Sequence, residues 1–141
     1  MGFWSNLFGS GREATPATDE QIIRIHGSGE IHFEIVGESH YQDALNKLAG
    51  GKTEDGHRIE TEATLILDNN NQYDDKAVAV AIRGEKVGHL SRETARSYRK
   101  SLAEAGVPAA TGVCGALIVS GWQRGSGDEG HYGVKLDLPA A

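Results

Sequence analysis

The strongest constraint on this chain is the run Lys76-Ala77-Val78-Ala79-Val80-Ala81-Ile82-Arg83, followed after Gly84-Glu85 by Lys86-Val87-Gly88-His89-Leu90. The two short runs read as strands, and the two-residue turn between them makes an antiparallel hairpin the expected arrangement. The neighbouring stretches have the same character. Glu30 to Val36 places Ile31, Phe33 and Ile35 on one face of a strand that stops at Gly37, and Ile59 to Leu67 alternates Ile59, Thr61, Ala63, Leu65 and Leu67 with residues that include Glu60 and Glu62. Two further strands are expected, Val113 to Arg124 and His131 to Leu138, joined by the loop Gly125 to Gly130. The 19 glycines fit a fold of short strands and tight turns.

Two helices interrupt the strands. Ser39 with Gln42 reads as a capping box, Tyr41, Leu45 and Leu48 as the buried stripe behind it, and Gly50-Gly51 as its stop. The second begins at Ser91 and runs to Ala105, with Ala95, Tyr98 and Leu102 on its core side and Gly106 at its end. The expected order is β-α-β-β-β-α-β-β, a mainly β fold with two α-helices closing into a small OB-like or SH3-like barrel over residues 30–141. Residues 1–29 precede it. They carry an apolar patch of Phe3, Trp4, Leu7 and Phe8 and, from Gly9 to about Thr18, a small polar stretch that reads as a flexible linker.

At 141 residues the chain is long enough for one core without staples, and with a single cysteine, Cys114, no internal disulfide is available. Zinc ribbons, thioredoxin-like sites and iron–sulfur clusters need more cysteines than that. No apolar run approaches a membrane span and no signal peptide is visible, so a cytoplasmic location is expected. Several motifs fail on context. Gly125-Ser126-Gly127-Asp128-Glu129-Gly130 spells the dinucleotide pattern but leads into a strand, whereas pyrophosphate needs a helix N-terminus. Gly51-Lys52-Thr53 follows a helix instead of opening one, and Asp68 to Asp75 lacks the glycine and glutamate of a calcium loop. The six histidines show no metal spacing, no serine sits in a nucleophile elbow, and a Mg²⁺ nuclease could draw only on Asp68, Asp74 and Asp75. The expectation is therefore no enzyme, no cofactor and no metal.

Charge singles out one element. The net charge is -6, yet Arg92, Arg96, Arg99 and Lys100 fall on one face of the second helix and make residues 91–106 the one positive segment of the chain. Beside this stand three ordered stretches: Phe33-Glu34-Ile35-Val36-Gly37 with a Tyr41-bearing helix after it, Asn71-Gln72-Tyr73-Asp74-Asp75-Lys76-Ala77-Val78-Ala79-Val80, and Val87-Gly88-His89-Leu90. In this order they resemble the HIRAN domain, a β-barrel module of certain DNA-repair translocases and of stand-alone bacterial and phage proteins.

The resemblance implies an OB-like barrel that grips the 3′ end of single-stranded DNA, by stacking bases on aromatics and bonding the terminal hydroxyl with an acid. It places Tyr73 and Asp74 at the pocket, with Asp74 accepting from the 3′-OH, Asn70 and Asn71 shaping the loop, and His89 and Arg92 on the phosphate side, next to the helix-face cation Arg96. Where DNA-end-binding relatives carry an Arg followed by two aromatics, this chain has Ser39-His40-Tyr41, so His40 and Tyr41 complete the candidate site. The expected partner is single-stranded nucleic acid, DNA in preference to RNA, in a repair or processing context. The competing reading is a protein-interaction adaptor that docks through Phe3, Trp4, Leu7 and Phe8 and uses the barrel as scaffold.

Overall fold

A computed structural model describes residues 21–139; the Phe3-Trp4-Leu7-Phe8 patch and the Gly9–Thr18 stretch lie outside them. Seven strands and two helices follow one another as β1 (Ile22–Arg24), β2 (Phe33–Glu34), a 3-10 turn (Glu38–His40), α1 (Gln42–Ala49), β3 (His57–Asp68), β4 (Ala77–Ile82), β5 (Glu85–His89), α2 (Arg92–Glu104), β6 (Thr111–Ser120) and β7 (Tyr132–Leu136). The sheet runs β2-β7-β6-β3-β4-β5, antiparallel throughout, with β1 added parallel to β6. It curls into a half-barrel of the small OB-like kind. Its two edges meet at one point, where Val36, just beyond β2, and His89 of β5 exchange main-chain bonds of 2.9 Å in both directions.

The alternation read from the sequence decides which side faces in. Ala63 and Leu65 of β3, Val78, Val80 and Ile82 of β4 and Val87 of β5 are buried in the barrel. Helix α2 lays Ala95, Tyr98 and Leu102 onto the same core, and Ser91 caps it by accepting from the Thr94 amide at 3.2 Å. Tyr98 reaches Gly112 of β6 so closely that a Cβ there would stand 2.4 Å from the phenol oxygen. Among the described residues no helix is long and apolar enough to cross a membrane.

Four local expectations are corrected. The strand expected from Glu30 to Val36 contracts to Phe33–Glu34, because the preceding chain crosses the end of β7: Gly27 lies against the backbone of Asp137 and Leu138, and the Gly29 amide donates to Asp137 Oδ1 at 2.9 Å. Ser39 sits in the 3-10 turn instead of capping α1, whose N-cap is Tyr41. Gln42 forms no capping box either, since its amide latches onto β7 by donating to the Tyr132 carbonyl at 3.0 Å and accepting from the Tyr132 amide at 2.8 Å. The last strands are shorter than expected, with β6 ending at Ser120 because Ser120 and Gly121 turn the chain at φ 67 and 70.

The fourth correction is the hairpin turn. It is Arg83-Gly84, with φ 51 and 81, and Glu85 already belongs to β5. Positive φ at both central residues is the geometry that Asn-Gly supplies at least cost, and an arginine there carries about 1–2 kcal/mol of steric penalty. Arg83→Asn is accordingly expected to raise stability by about 1 kcal/mol, read as a higher urea midpoint with an unchanged denaturant slope.

Candidate nucleic-acid interface

The loop between β3 and β4 is built by one asparagine. Asn71 Oδ1 accepts from the amides of Tyr73 (2.9 Å) and Asp74 (3.0 Å), and its Nδ2 donates to Asp68 Oδ2 at 3.0 Å. Such an Asx turn fixes the backbone without secondary structure, and here it turns two neighbours opposite ways. Tyr73 points outward, 84% exposed, whereas the Asp74 side chain is tucked against α2 with 15% of its surface accessible.

Asp74 gathers the basic helix face. Both guanidinium nitrogens of Arg96 donate to its carboxylate, at 3.0 and 3.1 Å, the Lys76 amide donates to Oδ1 at 3.0 Å, and Arg92 Nε lies 3.5 Å from Oδ2. The Arg96 fork is the main reason that the Asp74 pKa falls to about 2, followed by the Lys76 amide. Oδ1 has both of its lone pairs engaged. Oδ2 holds one good bond and the long Arg92 contact, so one acceptor direction is open to exchange.

Arg99 does a different job from its neighbours. It donates to the carbonyls of Lys76 and Ala77, each at 2.8 Å, and to Asn69 Oδ1 at 2.9 Å, so it ties α2 to the loop and is engaged within the fold. Arg92 and Arg96 keep much of their surface in solvent.

Asn71, Tyr73, Asp74, His89 and Arg92 line one cleft of about 250 Å³, floored by Ala77, Leu90 and Ala95. His89 Nε2 has no hydrogen-bond partner and stands 3.8 Å from Asp68 Oδ2; burial, then the nearby Lys86 ammonium, lower its pKa, with Asp68 opposing. The Tyr41 ring lies 6.5 Å from the His89 ring and is not among the residues that line the cleft. A larger cavity, about 540 Å³, is lined by Glu30 and Glu60 against Arg58 and Lys135. Its two acids break up any cationic track and its one ring is the imidazole of His32, a smaller stacking face than the Tyr73 phenol, so the smaller cleft is the better candidate.

The family model of the HIRAN domain matches residues 28–116. The chain belongs to the HIRAN family. Comparison with curated proteins and with solved structures found no match. The matched stretch of this HIRAN domain contains the whole cleft, both helices and the Val36–His89 seam, and ends within β6.

Of the residues singled out in sequence, the HIRAN fold thus brings together Asn71, Tyr73, Asp74, His89 and Arg92, with Arg96 bonded to Asp74 and the Tyr41 ring 6.5 Å from that of His89. His40 and Asn70 are exposed, and neither is among the residues that line the cleft. Two residues were missed. Asp68 supports Asn71 and faces His89, and Lys86 sits 3.8 Å from Asp68 with its ammonium 5.9 Å from the centre of the Tyr41 ring. The i, i+3 spacing of Asp68 and Asn71 could have signalled the first. Among the described residues no three His, Cys, Asp or Glu side chains are grouped to hold a metal ion.

Proposed function

We propose that this HIRAN domain is a non-catalytic module that grips one nucleic-acid strand, DNA in preference to RNA, at its free 3′ end, in the service of DNA repair or processing. HIRAN membership implies a nucleic-acid-binding module. The observation that carries the finer reading is the pairing of Tyr73, almost wholly exposed above an apolar floor, with two guanidiniums collected by one sheltered carboxylate. An aromatic that no neighbour covers is a stacking platform of about 1–3 kcal/mol per base, indifferent to which base it receives.

In this reading the terminal base lies on Tyr73 and the last phosphodiester meets Arg92 and Arg96. The 3′ hydroxyl donates to Asp74 Oδ2 as the long Arg92 contact is exchanged for a phosphate. A strand that continued past this point would press phosphate oxygens against the carboxylate, and that repulsion is the source of end selectivity. A linear 30-nucleotide single strand should therefore bind about tenfold more tightly than a circle of the same sequence, with a log–log salt slope near -2 for about three phosphates. Equal binding of line and circle would remove end recognition, and binding of neither would remove the nucleic-acid role.

A further inference from the structure

Behind the cleft wall stands a carboxylate that the reading above leaves without a role. Asp68, the last residue of β3, turns Oδ2 toward three groups: Asn71 Nδ2 donates to it at 3.0 Å, and Lys86 Nζ and His89 Nε2 each stand 3.8 Å away. Asn71 and His89 line the cleft and Asp68 does not, so it can act on a ligand only through them.

The nitrogen that faces Asp68 is the unusual one. His89 Nε2 is sealed from solvent and has no hydrogen-bond partner, although the side chain keeps 23% of its surface accessible. A buried polar atom without a partner calls for a reason, and a change of protonation state during function is one. At 3.8 Å the carboxylate is too far for a hydrogen bond and near enough to act by charge. Burial, then the Lys86 ammonium, hold the His89 pKa below its usual value against that pull. A phosphate in the cleft reverses the balance, because the imidazole then lies between two anions and both favour its charged form. The remaining surroundings of the ring come from four segments. β4 sets Ala79 opposite it, Val36 meets it through main-chain bonds, the Tyr41 ring at the start of α1 lies 6.5 Å away, and Arg92 of α2 shares the cleft. Asp74, also in the cleft, has its pKa at about 2 and stays ionised wherever His89 titrates.

We infer that Asp68 is a positioning residue with two effects on the grip: it anchors the Asn71 turn that presents Tyr73, and it stabilises the imidazolium that His89 forms when a strand's phosphate enters the cleft. This rests on the reading of the cleft given above and adds a pH dependence to it. One proton passes from solvent to the neutral ring as the strand binds and returns to solvent as it leaves. Affinity therefore rises as pH falls through the bound-state pKa, and levels off below the free-state pKa, where the ring is charged before the strand arrives.

The test titrates the oligothymidylate dT8, with a free 3′ hydroxyl, by anisotropy at about pH 8 and about pH 5.5 and constant ionic strength, a range that brackets the histidine transition. Thymine and phosphodiester groups do not titrate there. The proteins are wild type, His89→Gln, Asp68→Asn and Asp68→Ala, each checked by its melting curve, and the ratio of the two affinities is read, so that the other histidines contribute alike to all four. Wild type should bind about tenfold more tightly at the lower pH, the effect of a one-unit rise in pKa on binding. His89→Gln and Asp68→Asn should each bring the ratio down to about twofold or less. Asparagine at 68 still accepts from Asn71, whereas Asp68→Ala also frees the turn and should bind about fivefold more weakly than Asp68→Asn at both pH values. Calorimetry of wild type in two buffers of different ionisation heat needs no variant, and should show uptake of about half a proton near pH 6.5. A wild-type ratio near one without proton uptake, or a tenfold ratio that persists in His89→Gln or Asp68→Asn, overturns the inference and leaves the cleft reading standing. If dT8 binds at neither pH, both fall.

Discussion

Replacing Tyr73 by alanine is expected to weaken single-strand binding by about 1–3 kcal/mol, roughly five- to 150-fold, without changing thermal stability. The two halves of this expectation have the same cause. At 84% exposure the ring supports nothing in the fold, and the Asx turn that presents it is made by its own main-chain amide and Asn71 Oδ1, which alanine retains. Few aromatic truncations separate binding from folding so cleanly. Phenylalanine at the same position should recover most of the affinity, because stacking uses the ring face and not the phenol oxygen. Anisotropy titrations beside melting curves check this, and a Tyr73→Ala protein that binds like wild type would remove the platform.

Gly88→Ala is expected to give the largest loss of stability at the site, about 1–3 kcal/mol. A Cβ at Gly88 would lie 2.6 Å from the Val36 carbonyl oxygen and 2.8 Å from Ile35 Cδ1. The carbonyl cannot swing aside, because it accepts from the His89 amide in the pair of bonds that joins the two sheet edges. Relief requires β5 to part from the Val36 segment, which also shifts His89 at the cleft wall. A lower urea midpoint with weakened oligonucleotide binding is the expected result; an unchanged midpoint would mean that the seam contributes little.

The elements that were legible in sequence are those whose signal is local. The Val/Ala alternation of β4, the Ser91 cap and Ala95-Tyr98-Leu102 stripe of α2, and the β3 alternation of buried Ala63 and Leu65 with exposed Glu62 each stand in the structure where their spacing put them. So does the Asn71-Gln72-Tyr73-Asp74 loop. What escaped depends on partners far along the chain. Strand β1 lies ahead of the expected boundary at residue 30 and has only three residues, whose place is set by pairing with Thr111 to Val113. Gln42 looked like half of a capping box because nothing near it discloses Tyr132.

Lys86 was missed for a sharper reason. Strict alternation places residues 86 and 89 on opposite faces of a strand. The register shift between Val80 and Ala81 sets Lys86 opposite Ala81 and His89 opposite Ala79, so both reach the outer face. Within residues 85–89 the one local sign of that extra residue is Gly88, since an isolated glycine inside a strand often marks a bulge. Asp74 shows the same limit from the other side: its acidity was plain, but its engagement by Arg96, 22 positions on, recasts it as the organiser of the cationic face as well as an acceptor.

The central claim is that Asp74 and its two arginines read the end of a strand. The most direct test titrates one short oligothymidylate ending in a free 3′ hydroxyl and its twin ending in a 3′ phosphate, against wild type and Asp74→Ala at low salt. Wild type should favour the hydroxyl by about tenfold or more, the worth of a hydrogen bond to a charged acceptor. In Asp74→Ala the preference should vanish or reverse, since Arg92 and Arg96 lose the carboxylate that holds them and meet the phosphate instead. Equal binding of the two strands by wild type, or a hydroxyl preference that survives in Asp74→Ala, would contradict the account.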